Sequence, residues 1–139
     1  MTENELSQLH EISSVAFNHA QSIMGQIKNR EKIIRDRITE IDRQFYDATH
    51  QPATDLHKMQ QLGAQVLWAD WMRQKKTRLN RDLAQVLVEK TEQEAKLRVA
   101  LGKREALWTL LAEERLRNRS KNEASDLERI LALSMIAEN

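Results

Sequence analysis

Hydrophobic positions along this chain recur on steps of three and four residues, in two long stretches separated by a single proline, Pro52. In the first stretch Phe17, Ala20, Met24, Ile27, Ile34, Ile38, Ile41, Phe45 and Ala48 keep the rhythm, and Glu31 is its one polar member. That spacing is the signature of a coiled-coil seam. In the second stretch Met72, Leu79, Leu83, Val86, Leu97, Ala100, Leu107 and Leu111 repeat it, interrupted by Lys76, Lys90, Gln93 and Arg104. The pattern predicts an all-α fold: a long antiparallel two-helix coiled-coil hairpin with a short C-terminal helix, forming a single elongated domain over residues 1–139. The first helix is expected over about 6–48, the turn over 49–55, the second helix over about 56–119 and the tail helix over about 126–136.

These boundaries come from local signals. Residues 49–55 (THQPATD) hold the proline and two capping side chains, Thr54 and Asp55, either of which can open the second helix. No stop signal follows until residues 117–122 (RNRSKN), which makes the second arm the longer one. A turn centred near Pro52 places Phe45 near Met59, Ile41 near Leu62, Ala20 near Leu83, Phe17 near Val86 and Leu6 near Leu97. By that register everything beyond about Leu97, including Trp108 and Leu111, overhangs the first arm. Ser125 and Glu128 match the S-x-x-E capping box and open the apolar tail segment. A helix of about 10 residues is marginal alone, so it either folds back on Trp108, Leu111 and Leu116 or waits for a partner.

Composition narrows the picture further. The chain has 139 residues, with 3 Gly, 1 Pro, 31% charged and 4% aromatic side chains, a balance suited to long helices and not to a wide core. It contains no cysteine, which removes disulfides, thiolate metal sites and thiol nucleophiles and suits a reducing compartment. Glu3 and Glu5 stand where a signal peptide carries positive charge, and the apolar stretch 130–137 is far short of the roughly 20 residues a membrane span requires. The expectation is a soluble cytoplasmic protein without membrane insertion.

Charge is uneven. Residues 1–48 carry 6 basic and 8 acidic side chains and residues 56–119 carry 14 basic and 8 acidic. The densest basic cluster, Arg73, Lys75, Lys76, Arg78 and Arg81, spreads round its helix and has no interleaved aromatic rings, which favours a solvated surface over a nucleic-acid footprint. His10, His19, His50 and His57 lack the spacing of a metal site. No pocket-building pattern aligns a nucleophile with a base, so no catalytic, metal or cofactor-binding residue is assigned and no enzyme activity is expected.

The candidate functional residues are apolar. Trp68, Trp71 and Met72 fall at i, i+3 and i+4 near the turn, where two helices are too few to bury two indoles. They serve either as the end of the seam or as a docking patch, since Trp is enriched at dominant interface positions. Leu107, Trp108 and Leu111, with Leu127, Ile130 and Leu131 of the tail, form the second candidate patch.

With a longer, more basic second arm, with Leu6, Leu9, Ala16 and Ala20 early in the first arm, and with residues 71–83 (WMRQKKTRLNRDL) and 103–115 (KREALWTLLAEER) in the second, the chain resembles the FliJ family of flagellar and related type III export components. The likeness is distributed over about 6–119. It implies a fold similar to the coiled-coil part of a rotary ATPase central stalk. It also implies a non-catalytic, stalk or chaperone-like role engaging a hexameric export ATPase and an export-gate protein, in the cytoplasm or peripherally at the export apparatus on the inner membrane. Two alternatives stand beside it: a generic coiled-coil adaptor or scaffold that forms a homodimer through its C-terminal overhang, and, with less support, a helical nucleic-acid binder.

Overall fold

The structure, a computed structural model, describes residues 1–50 and 55–138, with side chains described outside 51–61. It is an all-α helical hairpin: α1 runs over Glu3–Thr49 and α2 over Asp55–Ala137, and no strand occurs among the described residues. The helix ends beside the connection fall within a residue of expectation. The turn at Pro52 and the cap assigned to Thr54 or Asp55 lie outside the described residues and side chains.

α2 continues unbroken through residues 117–122 to Ala137, which corrects the expected stop and the separate tail helix. That stretch holds Asn, Ser, Arg and Lys but neither Pro nor Gly. Asn and Ser lower helix propensity by only tenths of a kcal/mol each, too little to end a helix. Ser125 therefore sits inside a helix, where its backbone amide already has a partner one turn back, and the tail does not fold back on Trp108, Leu111 or Leu116. The capping box that does operate is at the start of α1. There the Glu5 amide donates to Thr2 Oγ1 at 3.2 Å and the Thr2 amide donates to Glu5 Oε2 at 3.1 Å.

The chain packs as two units. One comprises Ser22–Ala95 and the other Met1–Gln21 with Lys96–Asn139. In the first, Ile41, Met72 and Leu79 form the buried centre, and Ile34, Ile38, Phe45 and Trp68 close over it. Met72 is 1% exposed, so its side chain is core. In the second, Leu6, Phe17, Ala20 and Leu111 are buried and the Arg104 guanidinium lies 4.1 Å from the centre of the Phe17 ring. The polar interruptions of the second seam thus face the first arm and are matched there: Lys76 donates to Asp42 at 2.5 Å and Lys90 to Glu31 at 2.9 Å.

These pairs give the register, and it differs from the one a tight turn at Pro52 would impose. Phe45 meets Trp68 and not Met59, Phe17 lies under Arg104 and not near Val86, and Glu3 accepts from Arg115 and Asn118. The overhang accordingly begins near residue 119, well beyond Leu97. The physical reason is the polar layer. In the expected register Glu31 would face Met72, burying an unpaired carboxylate among apolar side chains, which is expensive. In the observed one it meets an ammonium.

The Glu31 carboxyl is held below its ordinary range, first by the hydrogen bond from Lys90, against the opposing effect of burial, with the charges of Lys90 and Arg35 adding to the shift. A carboxylate whose folded value is depressed stabilises the fold above its unfolded value, and that contribution is lost as pH falls through the folded value. The melting difference between the native chain and Glu31→Gln should therefore be largest near neutrality and shrink below the ordinary carboxylate range. Thermal melts of both chains from pH 7 down to pH 3 check it; a difference independent of pH would contradict the pairing.

Candidate interaction surfaces

Heptad position decides which candidate residues are available. Met72 belongs to the series 72, 79, 86, 93, 100 and 107, every member of which is buried or half-buried, whereas Trp71 falls one position outside it. Trp71 is 53% exposed and carries the Lys75 ammonium 5.2 Å from its ring centre. Trp68 is half-buried and tilts against Phe45 with ring centres 5.2 Å apart, so it closes the seam. The turn-side candidates thus separate: Met72 is core, Trp68 is seam edge and Trp71 is surface. On the same face one turn before Trp71, Leu67 is exposed and was not singled out from the sequence; Val66 is exposed on another face, and Leu62, expected in the seam opposite Ile41, is exposed as well. The signal for Leu67 was present, since it does not fit the three-four series that passes through Trp68 and Met72.

The second candidate set divides in the same way. Leu111 is 2% exposed and Leu107 half-buried, both on the seam, while Trp108 is 57% exposed. The Trp108 ring lies 5.3 Å from His10, and the two border an open groove of about 480 Å³ completed by Ser14, Arg104 and Glu105. Ser14, His10 and Glu105 are the residue types of a hydrolytic triad, but no hydrogen bond joins any two of them.

Past the start of α1 the second helix is uncovered. Every described residue from 119 onward is exposed, including Leu127, Ile130 and Leu131, and also Leu133, Met135 and Ile136, which are not among the residues singled out from the sequence. At 100° per residue Leu127 and Leu131 project to the side of α2 opposite Leu111, and Ile130 lies about a right angle from it, so the tail stripe does not prolong the hairpin seam.

Of the other chemistry-bearing side chains, His50 contacts the Tyr46 carbonyl oxygen through Nδ1 at 2.8 Å and stacks on the Tyr46 ring. Among the described residues no group of three His, Cys, Asp or Glu could hold a metal ion, and no helix is long and apolar enough to cross a membrane. No protein-family model, no curated protein and no solved structure matches this chain.

Proposed function

We propose that this chain is a non-catalytic coiled-coil component of flagellar or related type III protein export, acting as a stalk or chaperone-like factor. One exposed apolar surface would engage a hexameric export ATPase and another an export-gate protein. The observation that carries the reading is the run of uncovered apolar side chains on α2 beyond α1, in a hairpin whose paired part has already satisfied its own seam. The resemblance of residues 6–119 to the FliJ family supplies the partner class. In this reading the protein works in the cytoplasm or peripherally at the export apparatus.

Contact residues follow from exposure. Trp71 and Trp108 are the aromatic anchors, and Leu127, Ile130 and Leu131 the tail contacts, while Met72, Leu111, Trp68 and Leu107 support the fold beneath them. Truncating an aromatic anchor commonly costs about 2 kcal/mol or more at an interface, so Trp71→Ala or Trp108→Ala should weaken one interaction at least about tenfold. Neither should lower the melting temperature appreciably. Titration calorimetry against the purified ATPase and gate domain, beside thermal melts, checks this; stability losses without a binding loss would return both indoles to a structural role.

The whole-protein test is genetic and biochemical. Addition of the protein should raise the turnover of a cognate export ATPase, and deletion of its gene should impair filament assembly. Full motility in the deletion strain would remove the proposal. A second reading, a scaffold that forms homodimers, is favoured by the same uncovered tail. Light scattering of the full chain separates the two, because a stalk is monomeric alone and such a scaffold is a dimer at every accessible concentration.

A further inference from the structure

Both arms carry a heptad repeat with a few polar members, and the apolar part of such a pattern is degenerate: sliding one arm by seven residues, about 10 Å of helix rise, still sets most apolar layers against apolar layers. Something in the chain must choose among these registers. The exposed cross-arm pairs choose poorly, since solvent-exposed ion pairs contribute roughly 0–1 kcal/mol. One of them even survives a slip, because moving the arms by one heptad in one direction exchanges the Arg30–Glu89 pair for Arg30 opposite Asp82, again of opposite charge. The other direction sets Arg30 against Lys96 and is opposed by like charge.

The Glu31–Lys90 pair is different. Among the described residues it is the least exposed ion pair between the arms, with 14% and 27% of the two side chains accessible, and it occupies the seam itself, one turn from the buried Gln93. In the permitted slip Glu31 would face Leu83 and Lys90 would face Met24, leaving both charges unmatched in apolar layers. A polar group at a seam position is known to fix the register of coiled coils at some loss of stability.

We infer that Glu31 and Lys90 act as a register lock, and that without them the arms of this hairpin exchange between the observed register and one displaced by a heptad, in which Val86 faces Ile27 in place of Ile34. Counting one turn along each arm from the lock places Ile34 opposite Val86 in the observed register. A one-heptad displacement is larger than the roughly 7 Å limit on the Cα separation a disulfide can bridge. The two registers can therefore be read separately by cysteine pairs. The chain's lack of native cysteine makes the readout free of competing thiols.

The test compares Ile34→Cys with Val86→Cys against Ile27→Cys with Val86→Cys, each under mild oxidation at low protein concentration, in three full-length backgrounds. With Glu31 and Lys90 intact, the 34/86 pair should bridge and the 27/86 pair should not. With Glu31→Leu and Lys90→Leu together, 27/86 bridging should rise to within a few-fold of 34/86, while circular dichroism still reports a fully helical chain. The charge-reversed background, Glu31→Lys with Lys90→Glu, should return to 34/86 alone, which a merely structural effect of substitution would not produce. A helical double-Leu chain that bridges only 34/86 overturns the inference, as does a native background that bridges both pairs equally.

Discussion

Met72→Asp should be the most damaging single substitution, lowering stability by about 3–5 kcal/mol, the range for an uncompensated buried charge. Met72 is 1% exposed at the centre of the cluster with Ile41 and Leu79, so a carboxylate there would be set among apolar side chains. The neighbouring Lys76 is committed to Asp42. The substituted chain must neutralise the carboxyl, reach solvent by opening the Phe45–Trp68 edge, or part the arms. Each route gives up packing around both aromatic rings. A shift of at least about 10 °C in the thermal midpoint is expected for a chain of this size, measured by circular dichroism at 222 nm. Trp71→Asp, one position away on the exposed side, should shift it by only a degree or two; equal effects would refute the seam assignment.

The second large effect is expected at the tail and is opposite in kind. Replacing Leu127, Ile130 and Leu131 together with Asp leaves the paired region untouched, since every described residue from 119 onward is exposed. The unfolding midpoint of the hairpin should stay within about 2 °C of native, because exposed substitutions away from special features alter stability by only about 0.5 kcal/mol each. Binding to the partner proposed for the tail should fall by at least about a hundredfold, as three apolar contacts, each contributing on the order of 1 kcal/mol or more, become charged and resist desolvation. Calorimetric titrations against the two proposed partners, an export ATPase ring and an export-gate domain, read this directly. Undiminished binding would place the contact elsewhere, and a lost midpoint would mean that the tail packs on the hairpin after all.

Comparing these two sites shows what sequence patterning carries. The three-four repeat identified nearly every seam residue from Phe17 to Ala48 and from Met72 to Leu111, because helical periodicity maps directly onto burial. Register was hidden, since a heptad repeat looks the same after a seven-residue slip and the position of Pro52 does not determine where pairing starts. The polar members resolve it: Glu31 and Lys90 were both conspicuous as exceptions, and each is the other's explanation. For the tryptophans, Trp68 and Trp71 look equivalent as an i, i+3 pair, and only the continuation of the series through Met72 tells the seam edge from the surface. The two S/T-x-x-E motifs make the same point for boundaries. Thr2 caps because the chain before it is not helical, while Ser125 does not because the chain before it already is.

The uncovered end of α2 has a thermodynamic consequence. Where two helices pair, each turn is held by the packing of its neighbours and melts with them. A lone helical stretch has only its own backbone propensity, and near room temperature short segments of that kind sit close to the balance point between helix and coil. Ordering it costs on the order of 1–2 kcal/mol per residue in backbone entropy, a sum that its own hydrogen bonds barely offset. Any partner that grips Leu127 to Ile136 therefore supplies the missing free energy and takes a share of the folding equilibrium into its own binding constant. Its affinity should then depend on helix-favouring substitutions at positions it never touches, such as Asn122 or Ser125, as strongly as on some that it does.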